Sequence, residues 1–165
     1  MKGVGKFGEV MASDKSPGDY GTATEKLIRI IHSGSRPQAI LDFVVRELRK
    51  FPHYNWVGVY LVEGDELVLA GWSGPAATQH TRIPLGEGIC GRAAQTRETV
   101  VVGDVSTEPR YLECFPNTRS EIVVPILRDG LALGELDIDS DALDAFGGQD
   151  RAFLERIASE IAKVL

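Results

Sequence analysis

The spacing of hydrophobic residues predicts two helices near the start of the chain and one at its end. A capping-box pattern at Thr22 opens the first helix, which Gly34 ends, and Ser35 with Pro37 opens the second. The last helix is predicted from about Gln149. In all three, apolar residues recur at the three- and four-residue intervals of an amphipathic helix. They are Leu27, Ile30 and Ile31 in the first helix, Ile40, Leu41, Val44, Val45 and Leu48 in the second, and Phe153, Leu154, Ile157, Ile161 and Val164 in the last.

Between the second and the last helix the hydrophobic period changes to two residues, which predicts β-strands. Residues 56–62 and 66–69 form one hairpin, and residues 121–127 and 131–139 form another around Asp129-Gly130. The segments between the hairpins are a short strand over 81–83, a glycine-rich turn opening a helix over 86–96, a strand over 99–102 and a polar loop over 106–119.

Hairpins dominate this order of elements, so the sequence predicts an α+β fold with a mainly antiparallel sheet. The N- and C-terminal helices should cover one face of the sheet and leave the other to the insertion between the hairpins. The chain has 165 residues, of which 43% are apolar and 25% are charged, and these values fit one folded domain. We assign residues 22–165 to this domain and predict a flexible N-terminal arm over residues 1–21.

Charge and hydropathy argue against several classes of protein. The formal net charge is −6 and no long cluster of Lys and Arg occurs, which argues against nucleic-acid binding. No stretch approaches the roughly 20 apolar residues of a membrane span, and residues 1–20 contain no apolar run typical of a signal peptide. We therefore expect a cytoplasmic protein with no membrane partner, in which cysteines are reduced at rest.

The two cysteines, Cys90 and Cys114, are candidates for redox chemistry, although their separation fits neither a CxxC pair nor a zinc knuckle. Cys90 lies where a helix should begin, and the helix dipole there can lower the pKa of a thiol. A small buried hydrophobe is the equally favoured alternative for this residue. Cys114 lies in a polar loop before a strand, where an exposed thiol suits redox chemistry. On local electrostatics alone, Cys90 is the more reactive of the two.

The segment from Gly86 to Gly91 has the pattern G-x-G-x-x-G. A dinucleotide site requires this pattern directly after a buried parallel strand. Here Pro84 precedes it and hairpins surround it, so we favour a tight turn into a helix and expect no cofactor. No metal site is expected either, because ligand spacing is lacking among the histidines, which are His32, His53 and His80.

Two aromatic residues on the first predicted strand indicate a small-molecule pocket. Trp56 and Tyr60 fall on the same face, and Gly58 lies between them on that face. A glycine in a strand often allows a close approach to the sheet, so the two rings could flank a small ligand. Core packing of both rings is the alternative.

Three acidic residues on the most apolar strands are the least routine feature of the sequence. Asp137 and Asp139 share a face by the period of two, Glu121 stands on the neighbouring strand, and Glu135 could add a further acid. Like charges near a core are costly unless a ligand ammonium group, a metal or a shared proton compensates them. Alternatively, the aspartates only end the strand.

Several segments together resemble the free methionine-R-sulfoxide reductases, which are single GAF domains. The resemblance covers roughly residues 25–165 and implies a GAF-type fold, with an amino-acid-like ligand in a pocket under the insertion. The matching segments are Arg82–Gly91, Asn55-Trp56 with Tyr60, Gly103-Asp104-Val105, Cys114 ahead of Ser120–Pro125, and Leu136–Ser140.

The resemblance also implies roles for the candidate residues. Cys114 matches the attacking cysteine of the family, and Cys90 matches a second cysteine near the pocket. Trp56 and Tyr60 match aromatic walls around the methyl-sulfinyl end of the substrate. The family's substrate-binding carboxylates, which also assist the chemistry, match Glu121, Asp137 and Asp139.

One departure from the family concerns the recycling of the attacking cysteine. Family members typically carry a third cysteine ten residues before the position of Cys90, and here that residue is His80. Recycling would then fall to Cys90 or to an external thiol, with a thioredoxin-like partner if a disulfide forms. The sequence thus predicts thiol-dependent reduction of free methionine-R-sulfoxide, with a non-catalytic sensor domain as the alternative. Apolar stripes on the first and last helices could in addition pair in a homodimer.

Overall fold

A computed structural model describes residues 17–165, and side chains from residue 20. The predicted arm therefore lies outside the described part up to residue 16. The helices are α1 (Pro17–Ile31), α2 (Pro37–Leu48), α3 (Gly88–Thr96) and α4 (Gly148–Ala162), with one 3-10 turn at Val105–Thr107. The strands are β1 (Trp56–Glu63), β2 (Glu66–Ser73), β3 (Arg82–Pro84), β4 (Val100–Val102), β5 (Ser120–Arg128) and β6 (Leu131–Ser140).

The six strands form one sheet in the order β3-β2-β1-β6-β5-β4. Every neighbouring pair is antiparallel, as the predicted hairpins require. The β5–β6 hairpin turns at Asp129 and Gly130, whose φ angles of 52° and 76° lie in the left-handed region that Asp-Gly turns favour. The predicted α+β, mainly antiparallel fold is confirmed.

Helices α1, α2 and α4 cover one face of the sheet. Their predicted apolar stripes meet the inward side chains of the central strands, such as Val57 on β1, Val124 on β5 and Leu136 on β6. Leu27 of α1 and Leu154 of α4 are fully buried in this core. The stripes of α1 and α4 therefore pack largely within the chain, although Ile30 and Val164 are only partly buried, and the homodimer stays a prediction.

The opposite face of the sheet carries a second, smaller apolar cluster. It lies under α3 and the loops of the insertion, as predicted for this segment. Its members are Trp56, Tyr60, Leu67, Ile83, Ile89, Cys90, Ala93, Ala94, Val102, Val105 and Val123. Because this cluster is small, the sheet face also has room for polar side chains.

The starts of the first two helices differ from the prediction. Helix α1 begins at Pro17 rather than Thr22, because the ring of Tyr20 packs at 5.2 Å from Phe51 and at 5.2 Å from Phe153. These contacts join segments far apart in sequence, so no local cap signal reports them. The N-cap residue of α2 is Arg36, and no side chain caps this helix. No helix among residues 17–165 is long and apolar enough to cross a membrane.

Candidate active site

The strand register gathers four acidic side chains on the sheet face opposite the helices. Glu121 on β5 lies directly opposite Asp139 on β6. Asp137 and Glu135 follow on β6 at the two-residue interval that keeps side chains on one face. All four residues are at most 5% exposed. The prediction that the aspartates lie together near the core is thus met, and Glu135 joins them.

The two predicted aromatic residues border this acidic row on β1. Trp56 lies opposite Asp139 and Tyr60 lies opposite Glu135. Gly58 lies between them, opposite Asp137. The strand register therefore places rings at both ends of the carboxyl row, in the order that the period of two predicts.

The four carboxyl groups have little compensation from protein groups. Within residues 17–165 none of them forms an ion pair with Lys, Arg or His. Both carboxyl oxygens of Glu135 are buried without a hydrogen-bond partner, as are Oδ1 of Asp137 and Oδ2 of Asp139. Uncompensated buried charge is strongly unfavourable, so these carboxyl groups are either protonated or suited to bind a cation.

The pKa values of the acids reflect this burial. Desolvation, followed by the charge of Asp137, raises the pKa of Glu121, Glu135 and Asp139 well above the usual range. Burial also raises the pKa of Asp137, to about 6, and hydrogen bonds with Cys90 and Glu121 limit the rise. Asp137 is therefore the carboxyl most readily ionised near neutral pH, while its neighbours remain proton donors.

Cys90 lies against the carboxyl row. It is the third residue of α3, only 6% exposed, and its Sγ lies 3.9 Å from Oε1 of Glu121. Burial, followed by Asp137 and Glu135, raises the pKa of its thiol well above the ordinary value. Of the two alternatives for this residue, the structure agrees with the buried one, and desolvation with the nearby acids outweighs any lowering of the pKa by the helix dipole.

Cys114 lies in the loop before β5, close enough to the same carboxyls for their charges to act on its thiol. It is half-buried, and its Sγ lies 3.6 Å from the carbonyl oxygen of Leu112. Burial, followed by Asp137 and Asp139, raises the pKa of this thiol, while a hydrogen bond with Thr78 opposes the rise. The polar loop suggested an exposed thiol, but the thiol is half-buried because the loop folds over the sheet face that carries the acidic row.

Trp56 occupies the gap that the sequence assigned to a ligand. Its indole lies over Gly58 and Gly74, so a Cβ added at either glycine would clash with the ring. Its Nε1 donates to the carbonyl oxygen of Ala76 at 3.1 Å, and its ring lies 5.7 Å from that of Phe115. Gly58 therefore makes room for the indole, and the ring itself covers this part of the sheet face.

His80, at the position of the family's third cysteine, connects β1 to the loop that carries Cys114. Its carbonyl oxygen accepts a hydrogen bond from the hydroxyl of Tyr60 at 2.8 Å. Its Nε2 lies 3.2 Å from the carbonyl oxygen of Glu113, the residue before Cys114. His80 therefore links β1 to the cysteine-bearing loop, but it offers no thiol, and Cys90 and Cys114 are the only cysteines of the chain.

The glycine-rich segment is a turn into α3, as predicted. Gly86 and Gly88 have φ angles of 90° and 64°, which side chains rarely adopt. Gly91 packs against the backbone of Pro84 and Gly86, where a Cβ would clash. Because β3 pairs antiparallel with β2, the segment lacks the parallel strand of a dinucleotide site.

Three residues near the site were not identified from the sequence. Thr78 contacts the thiol of Cys114, and Phe115 packs on Trp56. The hydroxyl of Tyr111 is buried without a hydrogen-bond partner. All three lie in loops, where no periodicity marks a side chain as inward. Proximity to Cys114 in the sequence was the one available signal for Tyr111 and Phe115.

Comparison with known proteins agrees with this geometry. Residues 36–165 match the GAF domain family, and the chain therefore belongs to that family. Its relatives there include free methionine-R-sulfoxide reductases. The chain is 42% identical over 113 residues to the free methionine-R-sulfoxide reductase of Saccharomyces cerevisiae, an alignment that covers 66% of this chain and 62% of that protein.

Solved structures extend the similarity over nearly the whole described chain. The X-ray structure of free methionine-R-sulfoxide reductase from Neisseria meningitidis, in complex with its substrate, aligns with a TM-score of 0.83 at 37% identity. This alignment covers 93% of each chain. The type II enzyme of the same name from Thermoplasma acidophilum aligns with a TM-score of 0.75 at 40% identity, over 78% of this chain and 91% of that one.

Proposed function

We propose that this protein reduces free methionine-R-sulfoxide to methionine, with a cysteine thiol as the source of electrons. The observation that carries the proposal is the convergence of two thiols with a buried row of four carboxyls that have no cationic partner. The relatives named above support the substrate, since they share both the fold and a third or more of the sequence.

The acidic row accounts for selection of the free amino acid. A free amino acid carries an α-ammonium group, which would compensate Asp137 and its neighbours at a distance where charges interact strongly in a low-dielectric site. A peptide-bound methionine sulfoxide has a neutral amide at that position. We therefore assign Glu121, Asp137 and Asp139 to substrate binding, and Trp56 and Tyr60 to the walls around the methyl-sulfinyl end.

Sulfoxide reduction needs a proton donor, and the raised pKa values of Glu121 and Asp139 keep these carboxyls protonated at neutral pH. In the proposed step the sulfur of Cys114 attacks the sulfoxide sulfur, and Glu121 or Asp139 gives a proton to the sulfoxide oxygen. The substrate S–O bond breaks as the oxygen moves to the sulfur of Cys114, and the thiol proton passes to a carboxylate. Methionine leaves with two more electrons, and Cys114 becomes a sulfenic acid.

A second thiol then regenerates Cys114. Attack of the Cys90 thiol on the sulfenic sulfur would form a disulfide and release water, and a thioredoxin-like dithiol would reduce that disulfide. An external thiol attacking directly is the other route, since His80 replaces the third cysteine. We favour Cys114 as the attacking residue because it is the less buried thiol and matches the family's attacking cysteine. A cytoplasmic location and a homodimer remain part of this proposal.

A turnover assay tests the function. Purified protein with dithiothreitol is given free methionine-R-sulfoxide, free methionine-S-sulfoxide or N-acetylmethionine-R-sulfoxide, and methionine or N-acetylmethionine is quantified by chromatography. We expect product from the free R isomer alone, and none from Cys114→Ser. No methionine from any substrate, combined with thermal stabilisation by free methionine-R-sulfoxide, would instead indicate the sensor domain.

A further inference from the structure

Three potential metal ligands converge on the sheet face that carries the acidic row. One oxygen of Glu121, one oxygen of Asp137 and the sulfur of Cys90 all lie within 4.8 Å of one another. All three residues are buried. The cluster combines one soft sulfur with two carboxyl oxygens, which is a ligand set found in zinc sites rather than in magnesium or calcium sites.

The spacing of these atoms is close to that of a tetrahedral zinc site. Zinc–sulfur and zinc–oxygen bonds of about 2.3 and 2.1 Å give ligand–ligand separations of about 3.6 Å for S···O and 3.4 Å for O···O. The observed separation between Sγ of Cys90 and Oε1 of Glu121 is 3.9 Å. The other two separations are at most 4.8 Å, so side-chain movements of about 1 Å would place the three atoms at three corners of a tetrahedron.

A second observation, on Asp137 and its neighbour Glu135, also points to a cation here. Oδ1 of Asp137 is buried without a hydrogen-bond partner, and both carboxyl oxygens of Glu135 are buried with no partner closer than the thiol of Cys90. Glu135 is 0% exposed and lies next along the same face of β6. Buried oxygens of this kind are normally satisfied, so their orphaned state indicates a group that they are placed to receive.

We infer that this pocket is also a Zn²⁺ site, with Cys90, Glu121 and Asp137 as ligands and the fourth position open. Binding forms a Zn–S bond and two Zn–O bonds, and the protons of the thiol and of any protonated carboxyl pass to solvent. Glu135 would support the site as an outer carboxyl. A divalent ion there neutralises the charge that the ammonium group of an amino acid would otherwise meet.

Zn²⁺ should therefore compete with the substrate, and this consequence rests on the proposed function. The ion would bind the carboxyl groups of Asp137 and Glu121 and the sulfur of Cys90. Metal binding itself does not depend on the enzymatic activity, so it can be measured without substrate.

Metal affinity is measured by competition with a chromophoric zinc chelator, using fully reduced, metal-free protein and a non-thiol, phosphine reductant. We expect one Zn²⁺ per chain, no comparable binding of Mg²⁺, and a thiolate-to-metal charge-transfer band with Co²⁺. Cys90→Ser should weaken zinc binding by more than the roughly 10–100-fold that loss of an outer partner costs. Glu121→Gln should weaken it likewise, and Glu113→Gln, an exposed acid of the adjacent loop, should not.

Cys114→Ser is the matched thiol control and should retain zinc binding, and circular dichroism checks that each variant is folded. Unchanged zinc affinity in Cys90→Ser, equal loss in Cys114→Ser, or no charge-transfer band would each overturn the assigned site. In single-turnover reactions without a thiol reductant, Zn²⁺ should raise the concentration of free methionine-R-sulfoxide that gives half the maximal rate, and a chelator should reverse this. A protein that binds zinc but shows no turnover would refute the proposed function while supporting the metal site.

Discussion

Replacement of Asp137 by Asn should make the protein more stable at alkaline pH while impairing its function. Burial favours the neutral form of this carboxyl and raises its pKa from 3.8 to about 6. The folded state therefore holds the proton more tightly than the unfolded state, and stability contributed by the neutral form is lost as pH rises between these values. Each pH unit corresponds to about 1.4 kcal/mol, so ionisation of Asp137 costs on the order of 3 kcal/mol at pH 8.

Asn has nearly the shape of the protonated carboxyl and cannot ionise. The Asp137→Asn variant should therefore gain up to about 3 kcal/mol of unfolding free energy at pH 8, and close to nothing at pH 4. For a domain of this size such a gain raises Tm by roughly 6–12 °C. The exposed Asp65, in the β1–β2 turn, provides the control: Asp65→Asn should change stability by less than about 0.5 kcal/mol at either pH.

Urea unfolding of wild type and both variants, at pH 4 and pH 8, measures these differences directly. A gain that appears only at pH 8, together with a raised KM for the amino-acid substrate, is the expected result. Two results would refute the idea that Asp137 is an uncompensated buried carboxyl. One is the same change in unfolding free energy, variant minus wild type, at pH 4 and pH 8. The other is a variant less stable than wild type at pH 8.

Three further substitutions test packing, one beside the acidic row and two on the helix side of the sheet. Gly58→Ala should displace the indole of Trp56, lower stability by about 1–3 kcal/mol and raise KM, whereas Gly148→Ala, with open space around it, should be nearly neutral in thermal melts. Asp150→Ala should lower the unfolding free energy measured in urea by about 3–5 kcal/mol, since Asp150 accepts hydrogen bonds from two tyrosine hydroxyls and pairs with a histidine ring nitrogen. A loss under 1 kcal/mol would contradict a stabilising role for these bonds. Gly21→Ala, in a helix with nothing within 4 Å, should add about 0.5–1 kcal/mol, and a loss would argue against helix at this position.

The acidic face was predictable because strand periodicity is a local and reliable signal. Residues two apart on β6 share a face, and the Asp129-Gly130 turn pins the register that brings Glu121 opposite Asp139. The same regularity identified the amphipathic helices. The sequence therefore predicted which carboxyls gather and on which side of the sheet.

The environment of the thiols was not predictable from local sequence. The pKa of Cys90 depends on burial and on carboxyls 31 and more residues away, which outweigh the helix dipole next to it. The direction of the Trp56 indole depends on Gly74 and Ala76, in a loop without periodicity. In both cases tertiary contacts determine the chemistry, and only the folded chain reveals them.

In the proposed function, Cys114 takes the oxygen of a free amino-acid sulfoxide beside the acidic row. A single-turnover experiment tests it most directly: the Cys90→Ser variant, without reductant, is mixed with excess free methionine-R-sulfoxide. Methionine is quantified, and sulfenic acid is trapped with dimedone and located by mass spectrometry. We expect one methionine per chain and dimedone on Cys114. Methionine formed while Cys114 remains an unmodified thiol would contradict it.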